Sequence, residues 1–142
     1  MSQYYDMGGR TLWNPSNGAS RLFLRQVALF EAELGMPSGI GPMEADESEI
    51  APVAFKAFAD ALLARHRATT HGVMIALSEG FVCTVLVLAR RADIEVAWNP
   101  AGGAAQTGLT DVQVPAPPAP DQETWAASLC RKSDELGPFM AR

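Results

Sequence analysis

The sequence predicts an α+β fold, and three observations carry that prediction. Gly72–Leu88 is a long apolar run whose only side chains with a nitrogen or oxygen atom are Ser78, Glu79 and Thr84. Two earlier segments repeat apolar residues at helical spacing, and Gln3–Trp13 and Ile94–Trp98 favour strands instead. A helix without a polar face is buried on most of its circumference, so Gly72–Leu88 is the expected centre. The expected architecture is an N-terminal β-hairpin plus one returning strand on a three-helix core. A Pro-rich linker and a C-terminal helix follow.

Tyr4, Tyr5, Thr11, Leu12 and Trp13 are strand formers, and Gly8-Gly9 between them supplies the φ > 0 of a two-residue turn. Asn14–Gly18 is a cluster of turn residues, in which Ser16 or Asn17 can cap the next helix. That helix extends to Leu34. Phe23, Val27, Phe30 and Leu34 form its stripe, widened by Leu22 and Leu29, and Gly35 with Pro37 stops it. Arg21 and Arg25 lie one turn apart and repel each other unless an acid is near.

Met36–Ile50 reads as a loop, with Glu44, Asp46, Glu47 and Glu49 crowded together. Pro52 suits the first turn of a second helix, whose inward stripe is Phe55, Phe58, Ala59, Leu62 and His66. Thr69 or Thr70 can cap the central helix, expected over 71–91, where Arg90 and Arg91 complement its C-terminal dipole. Ile94–Trp98 alternates and reads as the returning strand. Trp13-Asn14-Pro15 and Trp98-Asn99-Pro100 repeat one tripeptide, read as two local strand stops. The expected organisation is a compact domain over 1–99, a Gly/Pro-rich linker over 100–120 and a helical tail over 121–142. Asp121 caps that tail, and Trp125, Leu129 and Leu136 share one face.

A chain of 142 residues is long enough for a real core, and 48% apolar with 19% charged residues is a globular composition. The net charge of −5 argues against a nucleic-acid partner, because phosphate binding needs a basic face. The N-terminal residues lack the basic start and apolar core of a signal peptide. The apolar run is short for a membrane span, which takes about 20 residues, and Glu79 interrupts it. Cys83 and Cys130 have no CxxC spacing and read as free thiols of a cytoplasmic protein. The expectation is therefore cytoplasmic, with neither nucleic acid nor membrane as partner. The oligomeric state stays open, a homodimer included.

Glu79 is the sharpest chemical candidate. A carboxylate among apolar neighbours resists ionisation unless a cation pairs with it, and Arg21, Arg25 or Arg65 could do so. Unpaired, it suits a general acid or base, with His66 or His71 as second group. A hydrogen-bonded core histidine is the structural alternative for His66. Gly80 beside Glu79 leaves room for a neighbouring backbone or a ligand. No metal spacing such as HExxH is present, so no metal and no cofactor is expected. The acids from Glu44 to Glu49 do not follow the EF-hand pattern; they read as a solvated loop or a negative docking patch.

Leu12–Gly18, Leu22–Arg25, Pro37–Met43 and Glu79–Phe81 resemble segments of a family of small actinobacterial proteins grouped as a domain of unknown function. The resemblance covers Gln3 to Trp98. It implies a bacterial cytosolic protein and carries no activity and no catalytic residue. It makes the Trp13–Gly18 and Pro37–Met43 loops family signatures, and loops carry function more often than packing does.

Two functions fit. The first is a small acidic binding module, of the immunity or regulatory kind or an accessory subunit, with a protein or small-molecule partner. Its candidate binding residues are Trp13, Asn14, Ser16, Asn17, Arg25, Asp46 and Glu47. The second is a small cofactor-independent isomerase, cyclase or lyase using Glu79 with His66 or His71.

Overall fold

Gly8 and Gly9 both adopt positive φ, 57° and 76°, and close the expected hairpin between β1 (Tyr4–Met7) and β2 (Arg10–Trp13). A computed structural model describes residues 2–98 and 122–142 of the chain. The linker expected over 100–120, Asn99 and the proposed cap Asp121 lie outside the described residues.

The third strand is not where the sequence suggests. Ile94–Trp98 is irregular, and β3 is Glu47–Glu49, parallel to β1 in a sheet of order β2-β1-β3. The reason lies in the hydrogen bonds. Lys56 Nζ donates to the Glu95 carbonyl at 2.7 Å, and the Ala97 amide donates to Asp60 Oδ1 at 2.7 Å. The second helix thus satisfies this segment, while β2 and β3 occupy both edges of β1. The acidic loop can supply a strand because Glu47 and Glu49 face solvent while Ser48 and Ile50 are buried.

The Pro37–Met43 loop is braced from three sides. Glu31 Oε1 accepts from the Ser38 amide at 2.8 Å and hydroxyl at 2.5 Å. The Ala51 amide donates to the Gly39 carbonyl, and the Ser48 hydroxyl to that of Gly41. Gly39 has φ +76°, and a Cβ there would stand 2.6 Å from the Phe55 nitrogen and 2.8 Å from the Ala51 oxygen. Only glycine fits so close a backbone approach. The loop is therefore packed tightly against the first helix, β3 and the start of the second helix.

Helix α1 (Asn17–Leu34) starts at Ser16, whose side chain accepts from the Ala19 amide, and ends at Gly35 with φ 64°. Phe23 and Val27 are buried, but Leu22 and Leu29 are exposed rather than part of the inner stripe. They sit one residue around the helix from Phe23 and Phe30, beyond the face that α1 buries. Helix α2 (Pro52–Ala68) buries Phe55, Phe58, Ala59, Leu62 and His66, as its spacing predicts, and Leu63 in addition.

Helix α3 (Gly72–Arg91) is capped by His71, whose Nδ1 accepts from the Met74 amide at 3.3 Å, rather than by Thr69 or Thr70. Only its second half is a core helix. Phe81–Ala89 is buried apart from Thr84, whereas no residue of Gly72–Gly80 is buried. The core is organised around Phe81: Phe30 stacks on it at 4.5 Å, and Phe23 and Phe58 approach within 5.7 and 6.3 Å. Tyr5 and Trp13 complete the cluster, with the Tyr5 hydroxyl 2.7 Å from Ser20 Oγ. These rings bring the sheet, α1 and α2 to the Phe81 level. No described element covers Val73, Met74 or Leu77.

Helix α4 (Gln122–Leu136) packs on α3, with Leu129 and Ser133 buried, while its buried Trp125 meets His66 of α2 and Trp98; Met140 beyond it is also buried. Arg91 fastens the end of the chain. Its guanidinium donates to the carbonyls of Leu12, Gly137 and Met140 at 2.7, 3.0 and 2.6 Å.

Candidate functional site

The three acid–base candidates are each engaged separately. Lys132 Nζ on α4 donates to Glu79 Oε1 at 2.7 Å, and both side chains are about one-third exposed. The cation that meets Glu79 is thus a lysine of the C-terminal helix, not Arg21, Arg25 or Arg65. Arg65 instead pairs with Glu33 at 3.1 Å. His71 is used as the α3 cap. His66 is 6% exposed, and its Nδ1 accepts from Trp125 Nε1 at 3.0 Å. That bond puts the imidazole proton on Nε2, which has no hydrogen-bond partner among the described residues. Burial pushes the His66 pKa down, against the smaller upward pull of Glu79, and Lys132 adds to the fall. His66 is therefore a neutral core histidine at neutral pH. Burial, reinforced by Glu79, raises the Cys83 thiol to about 11, so it stays protonated and unreactive at neutral pH. No cluster of three metal-ligating side chains occurs among the described residues.

The binding candidates also scatter. Trp13 is a core residue, 8% exposed, stacked on Tyr5. The Asn14 amide donates to the Ala141 carbonyl, and Ser16 caps α1. Asp46 has φ 67° and accepts from Gln3 Nε2 at 3.2 Å; Glu47 begins β3. Asn17 and Arg25 do come together. With Gln3, Arg21 and Leu24 they line an open cleft of about 450 Å³ beside Met43. A second cavity of about 440 Å³ lies between α3, α4 and Ile94–Trp98, lined by Leu86, Arg90, Trp98, Cys130 and Ser133 among others. Glu79, His66 and His71 line neither.

The largest unexplained feature is the first half of α3. Val73, Met74 and Leu77 are 58%, 37% and 72% exposed, and Gly72, Ala76 and Gly80 are exposed beside them. A Cβ at Gly80 would meet nothing within 4 Å. The helix is long and apolar enough to cross a membrane by length and composition, with a mean hydropathy of 2.1 over 18 residues. The core helix of a soluble protein passes the same test, and 44% of that window is buried here.

A protein-family model described as a family of unknown function, DUF6086, matches residues 1–142. The chain belongs to that family. The match passes Trp98, where the resemblance read from sequence segments stopped, so α4 is part of what the family model describes. No curated protein and no solved structure matches the chain. Family membership therefore brings no activity with it, and the geometry has to supply the functional reading. The Lys132–Glu79 pair and the Trp125–His66 bond had no local signal in the sequence, because the partners lie 53 and 59 residues apart. The Arg21–Arg25 spacing stood out only as a like-charge pair in need of an acid, and neither has an ion pair among the described residues; the cleft, with Gln3 and Met43 on its wall, had no signal in spacing.

Proposed function

We propose that the chain is a non-catalytic binding module in the cytosol of an actinobacterial cell. In this reading it is a regulatory, immunity-type or accessory component of a larger assembly, and the first half of α3 is its contact face. The observation that carries the proposal is the run of nine unburied residues, Gly72–Gly80, in the most apolar helix of the chain. A contiguous exposed apolar patch is what an interaction surface presents. The only charge in the run, Glu79, is matched by Lys132, so an apolar partner would not leave it unpaired. Gly72, Ala76 and Gly80 let a partner backbone approach closely. Two free cysteines, Cys83 and Cys130, support the cytosolic compartment.

The test compares proteins co-purifying from the source cells with the tagged wild type and with Leu77→Glu. A partner held by the wild type and lost from the variant, at unchanged melting temperature, is the expected result. An identical set of proteins on both overturns the assignment of the face.

The enzyme alternative, a cofactor-independent isomerase, cyclase or lyase, has one observation in its favour. His66 Nε2 is a buried N–H without a partner among the described residues, close enough to Glu79 to feel its charge. Against it, Glu79 is tied to Lys132, and neither cavity described above is lined by either group. Turnover of any component of a cell extract by the wild type, abolished by Glu79→Gln, would replace the binding module with the enzyme.

A further inference from the structure

The chain has 11 lysines and arginines against 16 acids, and nearly every cation is engaged. Arg10, Lys56, Arg65, Arg90, Arg131 and Lys132 form ion pairs with Asp93, Asp60, Glu33, Asp134, Glu135 and Glu79. Arg91 is bound to three carbonyls, and Arg67 lies 5.6 Å over the Trp125 ring. Besides the terminal Arg142, that leaves Arg21 and Arg25, which have no ion pair among the described residues. These two are neighbours on α1, one turn apart, so their Cβ atoms are roughly 5–6 Å from each other. Like charges one turn apart on a helix repel each other, and an anion held between them relieves that repulsion.

The same two arginines line the 450 Å³ cleft. Leu24, Ala28 and Met43 give it an apolar wall, and Gln3 and Asn17 add side-chain amides. An open cleft with an apolar wall beside charged and amide side chains can seat a small amphipathic ligand along one side. The planar guanidinium matches a carboxylate with two parallel N–H donors, and two of them one turn apart converge on one anionic head.

We infer that the Arg21–Arg25 cleft binds an amphipathic carboxylate, its head on the two guanidiniums and its hydrocarbon body along Leu24, Ala28 and Met43. A monoanion fits better than a dianion. Asp46 accepts from Gln3 on the wall of the cleft, and Glu44 follows Met43, so negative charge lies next to the site. Asn17 and Gln3 can each donate to the carboxylate oxygen that the arginines leave free. The carboxylate can belong to a free organic acid or to an acidic residue of a peptide. The site lies on α1 and does not depend on the apolar face of α3.

The experiment is an NMR titration of the isotope-labelled full chain with octanoate and, separately, with acetyl-leucyl-glutamyl-leucinamide. Octanol and inorganic phosphate serve as controls. Saturable shifts at Gln3, Asn17, Leu24 and Ala28 with octanoate or the peptide are expected, and whichever binds more tightly identifies the source. Arg25→Gln and Arg21→Gln, both exposed and expected to fold, should each weaken binding about tenfold, as loss of a charge-assisted hydrogen bond does. Three results overturn the proposal: no saturable shift with either carboxylate, equal shifts with octanol or inorganic phosphate, or undiminished binding by both variants with native spectra.

Discussion

The two halves of α3 should respond in opposite ways to loss of apolar surface. Leu77 is 72% exposed, so folding withdraws only about a quarter of its surface from water. Full burial of a leucine is worth about 1.5–3 kcal/mol, so Leu77→Gln should cost about 0.5 kcal/mol. Leucine and glutamine have nearly equal helix propensities, so no backbone term intervenes. Leu88 is fully buried on the same helix, and Leu88→Ala should cost about 2–5 kcal/mol, transfer and cavity together. Urea unfolding followed by circular dichroism separates the two. With a slope of about 1–3 kcal/mol per molar urea, Leu77→Gln moves the midpoint by a few tenths molar and Leu88→Ala by about 1 M or more. A loss at Leu77 as large as that at Leu88 would show that Gly72–Gly80 is core, and the contact-face reasoning would fail.

Three further predictions follow from the same structure. Because burial lowers the His66 pKa, the unfolded chain binds a proton that the folded chain refuses between about pH 6.5 and that lower value. Stability should fall as pH drops through this window and level off below it, and His66→Gln should lack this component; a wild-type-minus-variant difference that rises on acidification refutes the assignment. Gly39→Ala should cost at least about 2 kcal/mol, because positive φ and backbone contacts at 2.6 and 2.8 Å act together, whereas Gly8→Ala, at φ +57° with open space, should cost about 1 kcal/mol. Equal losses by thermal denaturation would show that the Gly39 contacts do not matter. Cys130 is exposed, while Cys83 is buried with its thiol raised to about 11, so thiol titration of the folded protein should find one reactive cysteine and the unfolded protein two. Rapid reaction of both in the folded state would contradict the burial of Cys83.

Much of the fold was legible because its signals are local. The Gly8-Gly9 turn, the Ser16 cap, the Gly35 stop and the Pro52 start each act within a few residues and hold in the structure. The α2 stripe from Phe55 to His66 was readable for the same reason. The errors arose where distant groups decide. Ile94–Trp98 alternates like a strand, but Lys56 and Asp60 capture its backbone from α2. Glu47–Glu49 has the period of a strand but only Ser48 and Ile50 to bury, so its acids masked it. The apolar character of Gly72–Leu88 was clear, yet composition cannot say which half of a helix other elements reach. The candidate site divides in the same way. Arg21 and Arg25 stood out by spacing as a repelling pair, though not as part of a cleft, whereas the fate of Glu79 depended on Lys132, 53 residues away.

The central claim is that the exposed half of α3 meets a partner, and photo-crosslinking from that face tests it most directly. A photoreactive phenylalanine analogue replaces Leu77 in the full chain, expressed in the source cells, and in a control chain replaces Val53, which is 84% exposed on α2. A discrete adduct from position 77 that is absent from position 53 and lost on adding Val73→Glu is the predicted result. The same diffuse labelling from both positions would contradict it.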